Sequence, residues 1–281
     1  MSRVLVTGAT GFIGSHAVRA LEERGHEVHA AAGDLLDPGT ATEIVAAAGA
    51  THLLHLAWYA VPGKFWTAPE NEAWVEATLR LLRAFYTAGG RRAVGAGTCA
   101  EYDWTGPGLL SETATPLRPA TLYGQAKART FEAGAALGEL SWGRVFFLYG
   151  PGEHPDRLVS SVARKLLAGE EAPMTEGSQV RDFLHVADVA GALAALVDSD
   201  VTGAVNVGSG QPVTVRAVVD EVARAAGRPD LLRPGALPQR AGEPPDLVAD
   251  VGRLRDEVRF RPRYDLGSGI KSTVNYWKKK I

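Results

Sequence analysis

The sequence predicts an α/β protein: a Rossmann-type, doubly wound parallel sheet with a smaller C-terminal α/β domain for substrate. Three observations carry that expectation. An apolar run, Arg3-Val-Leu-Val-Thr7, leads into the glycine-spaced turn Gly8-Ala-Thr-Gly11-Phe-Ile-Gly14, and that turn opens a helical stretch from Ser15 to Arg24. Strand-like and helix-like segments then alternate through the first half, the pattern of parallel strands joined by crossover helices. A further apolar run, Ala93-Val-Gly-Ala-Gly-Thr98, ends in a hydroxyl residue, and the binding groups of open α/β sheets gather at the carboxyl ends of strands.

Taken in order, strands are expected near residues 3–7, 27–31, 52–56, 92–97 and 142–148, and helices near 12–24, 41–48, 70–88 and 121–139. The first strand, turn and helix make a nest for a pyrophosphate. Glycines let the backbone approach, and the helix N-terminus supplies free N–H groups and a partial positive charge. The second strand ends in alanines, where a typical dinucleotide-binding unit places a carboxylate for the adenosine ribose, and the helix that normally follows is missing. Asp34, in Gly33-Asp-Leu-Leu-Asp37, is either that acid displaced or part of an adenine-contacting segment. After Tyr149-Gly-Pro151 the alternation loosens into a helix near 157–168, a short strand near 181–183 and helices near 188–198 and 214–226. A dinucleotide-binding domain over 1–150 and a substrate domain over 151–281, partly interleaved, are therefore expected.

Composition narrows the classes. A chain of 281 residues with 46% hydrophobic content can bury a large core, and a net charge of −2 argues against a general nucleic-acid or membrane-surface binder. The single cysteine, Cys99, excludes intrachain disulfides and fits a reducing compartment. The apolar start is one short strand broken by glycine, so no signal peptide is expected and the cytoplasm follows. No His/Cys/Asp spacing suggests a metal site.

Tyr123 and Lys127 stand four residues apart in Leu-Tyr-Gly-Gln-Ala-Lys. On a helix they share a face, where an ammonium eases ionisation of a phenol. Alone, such a pair is more often a solvated face, and a lone glycine triplet is a weak signal. Thr98 at its strand end joins the two motifs into an enzyme that moves a hydride and a proton. The aromatics Trp58, Tyr59, Phe65, Trp66 and Trp74 cluster after the third strand, where core packing is the default. Trp58 and Tyr59 directly follow a cofactor-side strand end, so walling a sugar pocket and packing in the core are equally good readings of them.

Read as an ordered set, these motifs resemble a family. They are Gly8/Gly11/Gly14, His55-Leu-Ala, Thr98 with Tyr102, Tyr123-Gly-Gln-Ala-Lys127, Tyr149-Gly-Pro151, Gln179-Val-Arg-Asp-Phe183, Asn206-Val-Gly-Ser-Gly and Arg240-Ala-Gly-Glu243. The chain resembles the extended short-chain dehydrogenase/reductases along nearly its whole length. Within them it is most similar to the nucleotide-sugar branch, and there to 4-ketoreductases of 6-deoxyhexoses (paratose-synthase-like enzymes). The resemblance implies Tyr123 as proton donor and Thr98 as the hydrogen-bond partner of a substrate carbonyl. Lys127 would hold the cofactor ribose and lower the tyrosine pKa. Cofactor contacts are implied at Gly8, Thr10, Gly11, Phe12, Ile13, Gly14, Asp34, Leu35, Leu56 and Ala57, besides Tyr123 and Lys127. Trp58, Thr98, Arg181, Arg240 and Glu243 are the expected substrate contacts. NADP is mildly favoured because no ribose carboxylate repels a 2′-phosphate, although no conspicuous phosphate-binding Arg follows that strand, and NAD stays possible.

One departure is informative. Dehydratases of this branch carry an Asp-Glu pair directly after the Thr, and here those positions are Cys99 and Ala100, so no dehydration is expected. Glu101 comes one residue late and, in an extended strand, would point to the opposite face. The expected activity is reduction of a 4-keto-6-deoxy nucleotide sugar. A 4-epimerase with tightly held NAD is the runner-up, and a non-catalytic dinucleotide sensor a distant third. A homodimer is expected through long helices over 70–88 and 121–140, as in the family. Ala73, Val75, Leu79, Leu82 and Phe85 are apolar at spacings that serve either the sheet or a partner.

Overall fold

The computed structural model describes residues 1–106, 108–239 and 242–281. Along the chain come β1 (Arg3–Thr7), α1 (Phe12–Glu23), β2 (Glu27–Ala30), α2 (Thr40–Ala48), β3 (His52–His55), α3 (Glu70–Thr87) and β4 (Arg92–Thr98). Then follow β5 (Leu109–Leu110), α4 (Leu122–Ala135), β6 (Leu140–Val145), β7 (Phe147–Tyr149), α5 (Leu158–Leu167), β8 (Ala172–Pro173) and β9 (Val180–His185). The remainder is α6 (Val186–Asp198), β10 (Gly203–Val207), β11 (Pro212–Thr214), α7 (Val215–Ala226), β12 (Leu232–Arg233), β13 (Asp246–Ala249), α8 (Gly252–Asp256) and α9 (Leu266–Lys278).

Six parallel strands form the main sheet in the order β10-β6-β4-β3-β1-β2. Val4, Leu5 and Val6 of β1 are fully buried, as expected for strands covered on both faces, where apolar residues run on without alternation. Helices α1 and α6 cover one face around Ala17, Leu21, Val189 and Leu193. The other face packs on α2 and α3 through Ile44, Val45, Leu81 and Phe85. β2 is the edge strand, and the chain returns from it to β3 through α2 alone.

The chain crosses the boundary expected at residue 150 and then crosses back. Although it lies beyond that boundary, α6 is apolar nearly all round and seats against the main sheet. β10 follows it as the sixth strand, in register with β6 from Gly203↔Ser141 to Val207↔Val145. The buried exception on α6 is Asp188, whose carboxylate accepts the backbone N–H groups of Arg263 at 2.9 Å and Tyr264 at 3.0 Å. The rest of the second half stacks α5, α7 and α9 on a sheet ordered β11-β9-β13-β5. Asp182 of β9 knits this unit together, accepting from Ser209 N and Oγ at 2.6 Å, Gly210 N at 2.9 Å and Ala249 N at 3.2 Å. Both aspartates of the Arg-Asp-Phe segment and its continuation therefore serve the fold.

Glu153, just after β7, accepts from Ser160 N at 3.2 Å and Ser160 Oγ at 2.9 Å. It is 4% exposed, and burial pushes its carboxyl up from 4.5 to about 7. Between those values the folded chain holds a proton that the unfolded chain has released, so stability from this group falls as pH rises. Relative to Glu153→Gln, the wild-type protein should therefore lose about 2–3 kcal/mol of unfolding free energy between pH 5 and pH 8 in urea titrations. A pH-independent difference between the two proteins would remove this account.

Candidate active site

The glycine turn meets the geometric demand of a phosphate cradle. Gly8 has φ 69°, and a Cβ there would lie 2.7 Å from Ala57 N; a Cβ at Gly14 would run into the Gly8 carbonyl. The N-cap of α1 is Gly11, with no side chain capping the first turn, so its amides face outward beside the exposed Thr10 and half-buried Phe12 and Ile13. The close approach at Gly8 also brings Leu56 and Ala57 to the same spot, with Leu56 N donating to Thr7 O at 3.1 Å. Glycine spacing, open amides and an adjacent strand end together fit the pyrophosphate of a dinucleotide. His55, between them, is fully engaged: its ring nitrogens bond Thr7 Oγ1 at 2.7 Å and Thr78 Oγ1 at 2.9 Å. Burial drives its pKa down to about 3, which keeps it neutral. Asp34 is exposed and turns its carboxylate onto Leu36 N at 2.9 Å, while Leu35 is buried.

At the end of β4, Thr98 is not followed by extended chain. Cys99–Glu101 is a 3₁₀ turn, and Thr98 caps it by accepting from Ala100 N at 3.2 Å. The expectation that Glu101 points away along a strand is thus corrected, because the turn folds Glu101 back into the protein. Its carboxylate accepts from Thr98 N at 2.8 Å, Trp142 Nε1 at 2.9 Å and Arg144 Nε at 2.7 Å, at 0% exposure. Trp142 reaches it because Gly95 and Gly97 leave the β4 surface bare; a Cβ at either would collide with the indole. Burial pushes the Cys99 thiol up to about 12, leaving it inert. Tyr102 donates its hydroxyl to Asn206 Oδ1 at 2.7 Å.

Tyr123 and Lys127 do share a face of α4, whose start is fixed by Thr121 Oγ1 accepting from Gly124 N at 3.1 Å. The Thr98 hydroxyl lies against the Tyr123 phenol and favours its ionised form, yet enclosure dominates and raises the phenol above its usual value. The Lys127 ammonium is directed elsewhere. The ammonium lies 5.9 Å from the Tyr123 ring centroid, donates to Ala96 O at 2.8 Å and stacks 3.7 Å over Trp58. Burial lowers its own pKa from 10.5 to about 7.

Trp58 packs against Lys127 and stays half-buried. Its Nε1 donates to Asn71 Oδ1 at 2.8 Å, and the Asn71 amide donates in turn to Phe65 O and Ala68 O, both at 2.8 Å. The aromatics that do reach Tyr123 are Phe65, edge-on at 4.9 Å, and Trp66, edge-on at 5.9 Å. Trp104 meets Trp66 at 6.3 Å. Arg157, at the start of α5, favours the ionised Tyr123. The sequence gathers Phe65 and Trp66 into an aromatic cluster after the third strand, but a segment without periodicity carries them, so spacing shows neither their approach to Tyr123 nor that of Trp104. The expected substrate contacts Arg181 and Glu243 do come together, but as an ion pair at 2.8 Å, with Arg181 3% exposed. Arg240 lies outside the described residues. Among the described residues no cluster of three His, Cys, Asp or Glu could hold a metal, and no helix is long and apolar enough to cross a membrane.

A crossover sheet with an open-amide glycine turn, and a Thr–Tyr–Lys set at its carboxyl edge, defines a class of dinucleotide-dependent enzymes. The family model described as "NAD dependent epimerase/dehydratase family" matches residues 4–208, and the chain belongs to that family. It is 28% identical to a dTDP-4-dehydro-6-deoxy-D-allose reductase of a Streptomyces species, over 98% of this chain and 96% of that one. It is 33% identical to a Streptomyces 3-diazoavenalumate denitrifying reductase over 81% of this chain and 82% of that one. Among solved structures, the UDP-glucose 4-epimerase of Thermus thermophilus in complex with NAD is similar with a TM-score of 0.86 at 28% identity. That match covers 99% of this chain and 100% of the other.

Proposed function

We propose that the protein reduces the 4-ketone of a 6-deoxy sugar nucleotide with NADPH, NAD(H) being the second choice of cofactor. The observation that carries this reading is the Thr98–Tyr123–Lys127 set beside a glycine cradle, with no free acid at the neighbouring positions. Bound in that cradle, a nicotinamide dinucleotide supplies the hydride. Gly8, Thr10, Gly11, Phe12, Ile13 and Gly14 would hold its pyrophosphate, with Asp34, Leu35, Leu56 and Ala57 along its length. Tyr123 donates a proton to the oxygen that gains charge, and Thr98 orients that oxygen. Lys127, released from Ala96 O, is available to the ribose. Glu101, the nearest acid, is consumed by Arg144, Trp142 and Thr98 N, which speaks against elimination of water.

A 4-epimerase is the second reading, favoured by the likeness to the Thermus enzyme. An epimerase must keep its cofactor through two opposite hydride transfers. β2 itself ends in alanines, with no carboxylate at the usual ribose position, and each such charge-assisted bond is worth about 1.5–3 kcal/mol. A looser adenosine end suits a cofactor that leaves every turnover. The purified protein should therefore carry little cofactor and oxidise one NADPH per dTDP-4-keto-6-deoxyglucose consumed. Tightly held NAD, with interconversion of UDP-glucose and UDP-galactose without added reductant, would reverse the assignment.

We also propose a homodimer through α3 and α4, on the strength of the family resemblance. Val75, Leu79, Leu82 and Phe85 are buried within the chain itself. The outward surface of these helices instead offers the Glu72–Arg129 pair at 2.6 Å.

A further inference from the structure

The aromatic group beside Tyr123 is built, not incidental. Asn71, 0% exposed, holds the segment bearing Phe65 and Trp66 by two hydrogen bonds donated from its side-chain amide, and Trp66 O accepts the backbone N–H of Tyr123 at 3.2 Å. Phe65 and Trp66 pack on each other at 4.4 Å, and both meet the Tyr123 ring edge-on. Trp104 extends the wall beyond Trp66, anchored by its Nε1 donating to Cys99 O at 2.8 Å. Trp66 and Trp104 are only half-buried, so the wall presents hydrocarbon to whatever lies at the phenol.

We propose that Phe65, Trp66 and Trp104 are the specificity-determining surface of this site, admitting a sugar with a methyl at C6 in preference to one with a hydroxymethyl. The proposal rests on the reading of the site as acting at C4 of a nucleotide sugar. For Tyr123 to protonate the C4 oxygen, its hydroxyl must come within hydrogen-bond reach of it. The groups flanking C4 then abut whatever packs on the tyrosine ring. C3 bears a hydroxyl and C5 bears C6, so only the C6 side can present hydrocarbon to the wall. A methyl there buries apolar surface against aromatic faces. A 6-hydroxyl instead loses water and meets side chains that offer its proton no acceptor: Phe65 has no polar side-chain atom, the indole N–H groups of Trp66 and Trp104 can only donate, and that of Trp104 is already given to Cys99 O. Apolar pockets reject an added hydroxyl by about a hundredfold at most, which sets the scale.

The test is the specificity ratio, kcat/KM for a 6-deoxy sugar nucleotide over its 6-hydroxy partner, read in the oxidative direction. There the C4–H hydride passes to NADP⁺, the C4 hydroxyl loses its proton, and NADPH is followed by its near-ultraviolet absorbance. The pairs are dTDP-6-deoxyglucose against dTDP-glucose and dTDP-6-deoxygalactose against dTDP-galactose, so that either C4 configuration is covered. The wild-type protein should favour the deoxy member by about 10–100-fold. Trp66→Asn and Trp104→Ser should each pull that ratio at least about tenfold toward one. Because the ratio cancels the concentration of active protein, a partly folded variant still reports. A wild-type ratio within about threefold of one, or a ratio unmoved in both variants, overturns the wall while leaving the C4 chemistry standing. No oxidation of any of the four sugars removes the functional reading and the wall with it.

Discussion

Tyr123→Phe should lower kcat by about 10²–10⁴-fold with little change in cofactor affinity. The ring is held by Phe65, Trp66 and the Trp66 carbonyl, so phenylalanine fits the same place and loses only the hydroxyl. The enclosure that raises the phenol above its usual value keeps it protonated at neutral pH, the state a proton donor to a ketone requires. A close ammonium would bring it back toward neutrality, and Lys127 can supply one only by leaving Ala96 O. Its own pKa near 7 makes that exchange sensitive to small changes in its surroundings. The measurement is single-turnover reduction of a 4-keto-6-deoxy sugar nucleotide, alongside NADPH titration by fluorescence. A variant within about tenfold of the parent would transfer the proton-donor role away from Tyr123.

Arg144→Leu should cost about 3–5 kcal/mol of folding free energy, because it leaves the Glu101 carboxylate buried without its ionic partner. The guanidinium is 1% exposed, bonds Glu101 at 2.7 Å and stacks 4.7 Å over Tyr102. Urea unfolding followed by tryptophan fluorescence reads the loss, and a cost below about 1 kcal/mol would mean the carboxylate finds other partners. The same substitution should disturb Thr98, whose backbone N–H donates to Glu101, so activity per folded molecule should fall as well.

Much of the fold is legible in the sequence. The strand expected at 3–7 and the helix expected at 12–24 are found at Arg3–Thr7 and Phe12–Glu23, because parallel core strands and amphipathic helices write their periods directly. β10 is not among the expected strands, since Gly203 and Asn206 interrupt the apolar run of Gly203-Ala-Val-Asn-Val207. Its place beside β6 is set by α6 carrying the chain back across the sheet. Two-residue strands such as β8 and β12 exist only through pairing with each other. At the site, motif spacing locates Thr98, Tyr123 and Lys127, yet it misplaces Glu101. Strand alternation stops where Thr98 caps a 3₁₀ turn, and from there the period of two no longer says which way a side chain points. Phe65, Trp66 and Trp104 come to Tyr123 through long-range packing that no local pattern records.

The bare stretch of β4 under Trp142 has a consequence for how this protein can change. Two glycines in a central strand are unfavourable for the strand itself, and here the space they leave is filled by one indole that also holds Glu101. A side chain gained at 95 or 97 would evict Trp142, loosen Glu101 and reach Thr98 through its amide. A smaller residue at 142 would open a void over the strand. Each step is harmful alone, and the two together relieve one another, since neighbours in contact do not contribute additively. Positions 95, 97 and 142 should therefore be inherited as a set, and a library that varies them one at a time would record all three as immutable although matched changes across them are tolerated.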